Sequence, residues 1–205
     1  MTDNVAGNTY DKYASTNPIE QRMMRGFFDA FDSMLDAISA DGEPTSIVEV
    51  GAGEGRIVEH LASRFPAATI AGLDLPDDEL AEEWDDVTLP MLFGDATRLP
   101  FADVSIDLVV GLEVLEHVPT PERALTEIAR ICRHAVIVSV PREPIWRIGN
   151  MARGRYLGDL GNTPGHINHW SARSFERFVA AEFELADTAR PLPWTMVAAR
   201  PARAQ

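Results

Sequence analysis

The 205-residue chain has a single cysteine, Cys132, and a single lysine, Lys12. One cysteine excludes an internal disulfide and a cysteine-rich metal site. Cationic residues are few: 18 Lys and Arg against 32 Asp and Glu give a formal net charge of −14. Such a field repels polyphosphate and argues against a nucleic-acid partner. No apolar run approaches the ~20 residues of a membrane span; the longest, residues 135–140, is strand-sized and includes Ser139. The first twenty residues carry acids and no apolar export core, so the expected location is the cytoplasm. The use of arginine almost to the exclusion of lysine fits a GC-rich genome or a salt-rich cytoplasm equally well.

What is present suffices for one domain spanning residues 1–205, with 45% hydrophobic residues and no repeats. Residues 19–38 place Met23, Met24, Phe27, Phe28, Phe31, Met34, Leu35 and Ile38 at spacings of three and four, the stripe of an amphipathic helix. Asn17-Pro18 marks its start, and residues 1–43 are expected to cap the domain. Beyond it the chain alternates. Strands are predicted at 46–51, 68–74, 88–93, 106–112 and 134–140, with helices at 54–65, 77–84 and 120–132 between them. Short, almost continuously apolar strands separated by helices indicate an α/β, doubly wound, mostly parallel sheet covered on both faces. A helix at 171–181 and strands at 183–188 and 195–199, joined closely enough for an antiparallel edge pair, complete the pattern.

In such sheets ligands sit beyond the carboxyl ends of the strands, and the first strand-to-helix turn is the place to look. Here it reads Glu49-Val50-Gly51-Ala52-Gly53-Glu54-Gly55-Arg56. Its glycines permit positive φ and close backbone approach to a ligand. A dinucleotide fingerprint beginning at Gly51 needs Gly or Ala at position 56, where this chain has Arg56. Asp74 ends the second strand, Gly94-Asp95-Ala96 follows the third and Glu113 the fourth. A carboxylate at the Asp74 position accepts hydrogen bonds from both hydroxyls of a ribose. Acids or glycine turns at four successive strand ends suit one extended nucleoside-like ligand lying across the sheet edge.

These segments, together with Leu99-Pro100-Phe101, Asp107-Leu-Val-Val and Glu113-Val-Leu-Glu-His-Val118, resemble the class I S-adenosylmethionine-dependent methyltransferases. Within that class they are similar to the small-molecule branch that includes the ubiquinone and menaquinone biosynthesis type. The resemblance implies a Rossmann-like seven-stranded sheet with an antiparallel C-terminal hairpin and S-adenosyl-L-methionine as cofactor. It implies that Glu49, Gly51, Gly53 and Gly55 surround the amino-acid part of the cofactor and that Asp74 with Leu75 holds the ribose. Asp95 and Ala96 would contact the adenine, and Glu113 would lie near the sulfonium. Tyr10 and Tyr13 resemble an N-terminal segment that folds over the bound cofactor.

Methyl transfer from a sulfonium is an in-line displacement that needs a base only when the acceptor must lose a proton. His117 and His166 are the expected catalytic histidines, although His117 also suits a turn cap. His169 with His166 at a spacing of three brings no third ligand pattern, so no metal is expected. Residues 141–170 form a long acceptor-side insertion with Arg142, Arg147, Arg153 and Arg155 beside Ile145, Trp146, Ile148, Met151, Tyr156 and Leu157. Arg142, Trp146, His169 and Trp170 are the expected substrate contacts. The cationic and apolar mixture fits an anionic small-molecule acceptor, peripheral contact with an anionic membrane surface carrying a lipid-linked acceptor, or a solvated lid.

The reaction expected is O-methylation of an anionic or lipid-linked small molecule, since no Asn/Asp-Pro-Pro-Tyr/Phe motif for planar amino groups follows the fourth strand. The alternatives are a nicotinamide-dependent oxidoreductase, disfavoured by Arg56 and by the absence of a Tyr-x-x-x-Lys pair, and a non-catalytic cofactor-binding protein. The oligomeric state is not fixed by these patterns.

Overall fold

The computed structural model describes residues 17–40, 42–154 and 156–202. Tyr10, Tyr13 and Arg155 lie outside these residues. Helix α1, Pro18–Ser39, begins where Asn17 accepts the Ile19 amide on its side chain and Pro18 supplies a fixed φ at N1. Strands β1 (Ser46–Val50), β2 (Thr69–Asp74), β3 (Met91–Phe93), β4 (Ile106–Leu112) and β5 (Cys132–Pro141) alternate with helices α2 (Arg56–Arg64), α3 (Asp78–Glu83) and α4 (Pro121–Ile131). Helices α5 (Ile145–Ala152) and α6 (Ala172–Val179) precede β6 (Phe183–Ala189) and β7 (Trp194–Pro201).

The seven strands form one sheet in the order β3-β2-β1-β4-β5-β7-β6. The first five are mutually parallel, and β7 runs antiparallel to both β5 and β6. This is the expected doubly wound architecture with its C-terminal antiparallel pair. Strand order reverses between β1 and β4, which opens the crevice at the carboxyl ends of β1, β2 and β4.

Period-two alternation sends successive strand residues to opposite faces. On one face Ile47, Ile70, Leu108, Val110 and Ile137 pack with Phe27, Phe31, Met34 and Leu35 of α1 and with Ile57 and Leu61 of α2. On the other, Val48, Val50, Val109, Val136 and Val138 pack with Leu125 and Ile128 of α4 and with Phe175 and Val179 of α6. Every residue of β4 is buried, which fixes the central strand between two helical layers. Strand β3 is three residues long rather than the expected six, because Pro90 precedes it and Leu92 and Phe93 are exposed at the sheet edge.

At the end of the sheet away from the crevice, Asp107 accepts the Thr45 amide (2.9 Å), the Thr45 hydroxyl (2.7 Å) and the Arg133 guanidinium (2.6 Å). Burial alone would raise its pKa, but these donors outweigh it and hold the carboxyl down at about 2. This acid therefore serves the framework and takes no part in the crevice.

Candidate functional site

The turn after β1 is folded back onto the end of β2. The Gly51 and Ala52 amides both donate to the Leu73 carbonyl, at 2.7 and 3.0 Å, and Gly53 donates to Asp74 Oδ2 at 2.7 Å. Gly51, Gly53 and Gly55 have φ of +78°, +49° and +84°. The requirement for glycine differs along the turn. A Cβ on Gly51 would collide with the Val114 side chain, whereas one on Gly53 would meet nothing within 4 Å. Gly51 thus serves close packing, while the open space beside Gly53 belongs to the crevice.

Two acids converge on this turn. Asp74 Oδ1 accepts the Leu75 amide at 2.7 Å while Oδ2 takes Gly53. Burial raises the Asp74 pKa, opposed by these two amides; Asp77 raises it further and His117 lowers it. Glu49, in β1, is 2% exposed. Burial and the neighbouring Asp74 charge push its carboxyl well above the ordinary range, against a hydrogen bond from the Val58 amide. Among the described residues its Oε2 has no hydrogen-bond partner. A buried acceptor of this kind is costly unless something else satisfies it.

The turn's outer side is held by Trp84, whose indole N–H donates to the Gly53 carbonyl at 2.8 Å and whose ring stacks on Phe93 at 4.5 Å. Leu75 and Phe93 are exposed next to Asp74 and the end of β3. Asp95 Oδ1 accepts the amide and the hydroxyl of Thr97, closing the turn after β3, and Ala96 is half-buried against the second core cluster.

Glu113, just past β4, adopts φ +61°, a conformation uncommon outside glycine. Its carboxylate accepts the Ser139 hydroxyl at 3.1 Å and the Trp194 indole N–H at 2.6 Å. Strands β4, β5 and β7 thereby aim this acid together. The role of Trp194 carried no signal in the sequence, because the strand that presents it is 81 residues from Glu113.

His117 and His166 are brought together, with ring centroids 4.8 Å apart in an edge-to-face arrangement. The segments carrying them are pinned by backbone and amide bonds. Ile167 and Asn168 amides donate to the Glu116 carbonyl, and the Asn168 side chain donates to the Leu115 and Val118 carbonyls. His117 Nδ1 lies 3.0 Å from the Gly165 carbonyl oxygen. A carbonyl can only accept, so Nδ1 carries the hydrogen, and whenever the ring is neutral Nε2 bears the lone pair. Buried Glu116, which carries no distinguishing signal in the sequence, places a carboxylate oxygen 4.0 Å from that Nε2.

The insertion is more self-contained than its arginines suggest. Arg147 pairs with Glu143 at 3.5 Å and lies 3.0 Å from His169 Nε2, which also contacts Asn162 Oδ1 at 2.7 Å. Arg153 binds Glu20 of α1 at 3.1 Å and Asn150 at 2.7 Å. Burial, then Arg147, lowers the His169 pKa, with Glu143 opposing. Trp146 is buried, donates to the Thr163 hydroxyl at 2.9 Å and stacks on His166 at 5.7 Å. Trp170 instead packs on Phe175 and Phe178 of α6, on the opposite face of the sheet from Trp146. The two tryptophans therefore do not line one wall. Arg142 is tied through its backbone to Pro193 and Trp170, and its buried Nε has no hydrogen-bond partner among the described residues.

Residues 48–140 match the family model described as a methyltransferase domain. The chain is 32% identical over 127 residues to a malonyl-[acyl-carrier protein] O-methyltransferase of Geobacter sulfurreducens, covering 60% of this chain and 44% of that protein. It is 37% identical over 100 residues to a fatty-acid O-methyltransferase of Mycolicibacterium smegmatis, covering 47% and 36%. The chain thus spans less than half the length of these curated relatives. Among solved structures, the fold matches a magnesium protoporphyrin IX methyltransferase from Synechocystis PCC 6803 with bound SAH, with TM-score 0.65 and 18% identity over 92% of this chain and 89% of that one. A Pyrococcus horikoshii protein superposes with TM-score 0.66 at 14% identity, over 87% of this chain and 92% of that one.

Proposed function

We propose that this chain is a class I S-adenosylmethionine-dependent methyltransferase that methylates an oxygen of a small, lipid-like acceptor. The observation that carries the cofactor half of this reading is the buried Glu49 Oε2, which has no hydrogen-bond partner among the described residues and sits beside Asp74. Two neighbouring carboxylates at a glycine turn suit a ligand that brings a cation and hydroxyls and repel one that brings phosphates. Arg56, standing where a dinucleotide site needs a small residue, agrees.

When bound, S-adenosylmethionine supplies a methyl group carried on a cationic sulfur. Glu49, Gly51 and Gly53 would hold its amino-acid end, Asp74 and Leu75 its ribose, and Asp95 with Ala96 its adenine. Asp74 keeps lone pairs beyond the two amides it already accepts, so it can take both hydroxyls. Glu113, aimed by Ser139 and Trp194, adds negative charge at the β4 end of the crevice. His117, with Nδ1 turned to the Gly165 carbonyl, presents Nε2 to accept a proton from a hydroxyl acceptor. An acceptor already ionised would need no such step.

Three observations support a lipid-like acceptor. Arg147 and Arg153 are engaged by Glu143 and Glu20, so recognition falls to the apolar part of the acceptor rather than to its charge. Ile148, Leu157 and Leu160 are exposed on α5 and the turns after it. No helix among the described residues is long and apolar enough to cross a membrane, so contact with a lipid-borne acceptor would be peripheral. The relatives that act on malonyl-[acyl-carrier protein] and fatty acids are O-methyltransferases of acyl substrates.

Calorimetric titration with S-adenosylhomocysteine and, separately, NADH tests the cofactor. Binding of the first alone supports the reading, and binding of NADH alone overturns it. Transfer of labelled methyl to long-chain fatty acids or isoprenoid hydroquinones, against short soluble acids and phenols as comparators, then tests the acceptor class. Equal turnover of the short comparators would remove the lipid-like assignment.

A further inference from the structure

We propose that Glu116, His117 and His166 form a binding site for a divalent transition-metal ion of the zinc and cobalt class. One carboxylate oxygen of Glu116 and one ring nitrogen from each histidine all lie within 4.8 Å of one another, and Glu116 and His166 are buried. It is the one such convergence of three ligand-type side chains among the described residues.

The chemistry of the set is specific. Two imidazoles and one carboxylate suit Zn²⁺, Co²⁺, Ni²⁺ or Fe²⁺ rather than Mg²⁺ or Ca²⁺, which favour all-oxygen shells. Bond lengths near 2.0–2.2 Å place tetrahedral ligand atoms about 3.3–3.6 Å apart, so closing on an ion requires side-chain shifts of roughly 1 Å. Three protein ligands also leave a fourth position for water or another oxygen ligand.

The surroundings are those of a built ligand set. His117 Nδ1 donates to the Gly165 carbonyl, the outer bond that orients a metal-ligating imidazole and commits Nε2 to the ion. Trp146 stacks on His166, and its own N–H is fixed by Thr163, which restricts the His166 ring. The chain segments bearing the ligands, about 50 residues apart, are clamped by Ile167, Asn168 and the Asn168 amide side chain on the carbonyls of Leu115, Glu116 and Val118. A dianionic or neutral ligand would gain little here, whereas a dication is matched to a buried carboxylate beside two imidazoles.

The site is independent of the acceptor reading, although the two meet at one atom. A His117 Nε2 that holds a metal cannot also accept a proton, so an added ion should suppress transfer to hydroxyl acceptors while leaving S-adenosylhomocysteine binding in place.

The test is calorimetric titration of chelator-treated protein with Zn²⁺, paralleled by Co²⁺ titration followed through its visible d–d absorption. The expected result is one saturable equivalent with the intense absorption of a four- or five-coordinate Co²⁺ site. Glu116→Gln and His166→Gln should each weaken binding by tenfold or more. His134→Gln, a change at an exposed histidine outside the cluster, should leave it unchanged. Should the buried variants fail to fold, as judged by circular dichroism, Zn²⁺ protection of His117 and His166 from carbethoxylation in the unaltered chain gives the answer instead. No saturable binding, affinity unchanged in a folded His166→Gln variant, or undiminished carbethoxylation of both histidines would each overturn the site.

Discussion

Asp74 accepts the Gly53 amide at 2.7 Å, so the end of β2 and the glycine turn after β1 are fastened into one piece. In the proposed cofactor reading the same carboxylate holds a ribose. Asp74→Ala therefore removes a ligand contact and loosens the turn that carries the others. We expect S-adenosylhomocysteine affinity to fall by ~1.5–3 kcal/mol, the range for hydrogen bonds to a charged group, or roughly tenfold to 150-fold. Calorimetry measures it, and an unchanged dissociation constant would remove Asp74 from the site.

Gly51 and Gly53 should separate fold from binding. Both have positive φ, which costs an alanine about 1 kcal/mol or more at either position. Only at Gly51 does a methyl group also collide with Val114. Gly51→Ala is expected to lower stability by about 2–4 kcal/mol, combining backbone strain with overpacking. Gly53→Ala, with open space around it, should cost about 1 kcal/mol in stability yet weaken the cofactor disproportionately, because its methyl enters the crevice. Urea unfolding and calorimetry on the pair check this; equal stability losses would mean the Val114 contact is relieved by a small shift.

Local periodicity made most of the framework readable. The strand at 106–112 is found with those bounds as β4, and the Asn17-Pro18 start of α1 and the Pro121 start of α4 follow from capping and φ restriction alone. The glycine turn and the acid at the end of β2 were equally legible, since a few adjacent residues specify them. What sequence did not reveal is set by contacts between distant segments. Glu20 claims Arg153 from 133 residues away, and Trp194 aims Glu113 across 81. The insertion arginines therefore read as open cations until the fold supplied their partners. Trp170 is an expected acceptor contact from its resemblance to the aromatic before the penultimate helix, yet the approach to α6 turns it into the opposite core layer. Glu116 was invisible as a third partner of the two histidines because nothing in its own neighbourhood distinguishes it from an ordinary helix-capping acid.

Glu49 links cofactor binding to pH. Its folded-state pKa is raised by burial and by Asp74, so the folded chain holds a proton there that the unfolded chain releases. Stability without ligand accordingly declines as pH rises from the ordinary carboxylate range, about 4.3, through the raised value. A bound cation reverses the preference and expels the proton. Glu49→Gln should therefore melt higher than the unaltered chain at about pH 8 and nearly the same at about pH 4. It should also bind S-adenosylmethionine at least tenfold more weakly, without the loss of affinity on acidification expected of the parent. Thermal scans and calorimetry across pH read both effects, and a variant with a parallel pH dependence would show that Glu49 is not the titrating group.

Asp107 provides the opposite sign at the other end of the sheet. Its pKa is held at about 2 by Thr45 and Arg133 despite burial, against about 3.9 for an unfolded aspartate. A group with a depressed folded pKa contributes stability that is complete above the unfolded value and is lost as pH falls from about 4 through 2. The full linkage would be near 2.6 kcal/mol, but Arg133 is 41% exposed, so solvent screening reduces the expected share to about 1–2 kcal/mol. Asp107→Asn should thus be destabilised by about that much at pH 7, with the difference from the parent narrowing on acidification below about pH 4. The Glu49 and Asp107 effects have opposite signs on either side of about pH 4, so the double variant isolates the acid-side change. With Glu49→Gln as background, urea midpoints should show the acid-side loss from Asp107 alone. A gap that stays constant from neutral pH to about pH 2 would mean the Thr45 and Arg133 bonds act without linkage to the Asp107 charge.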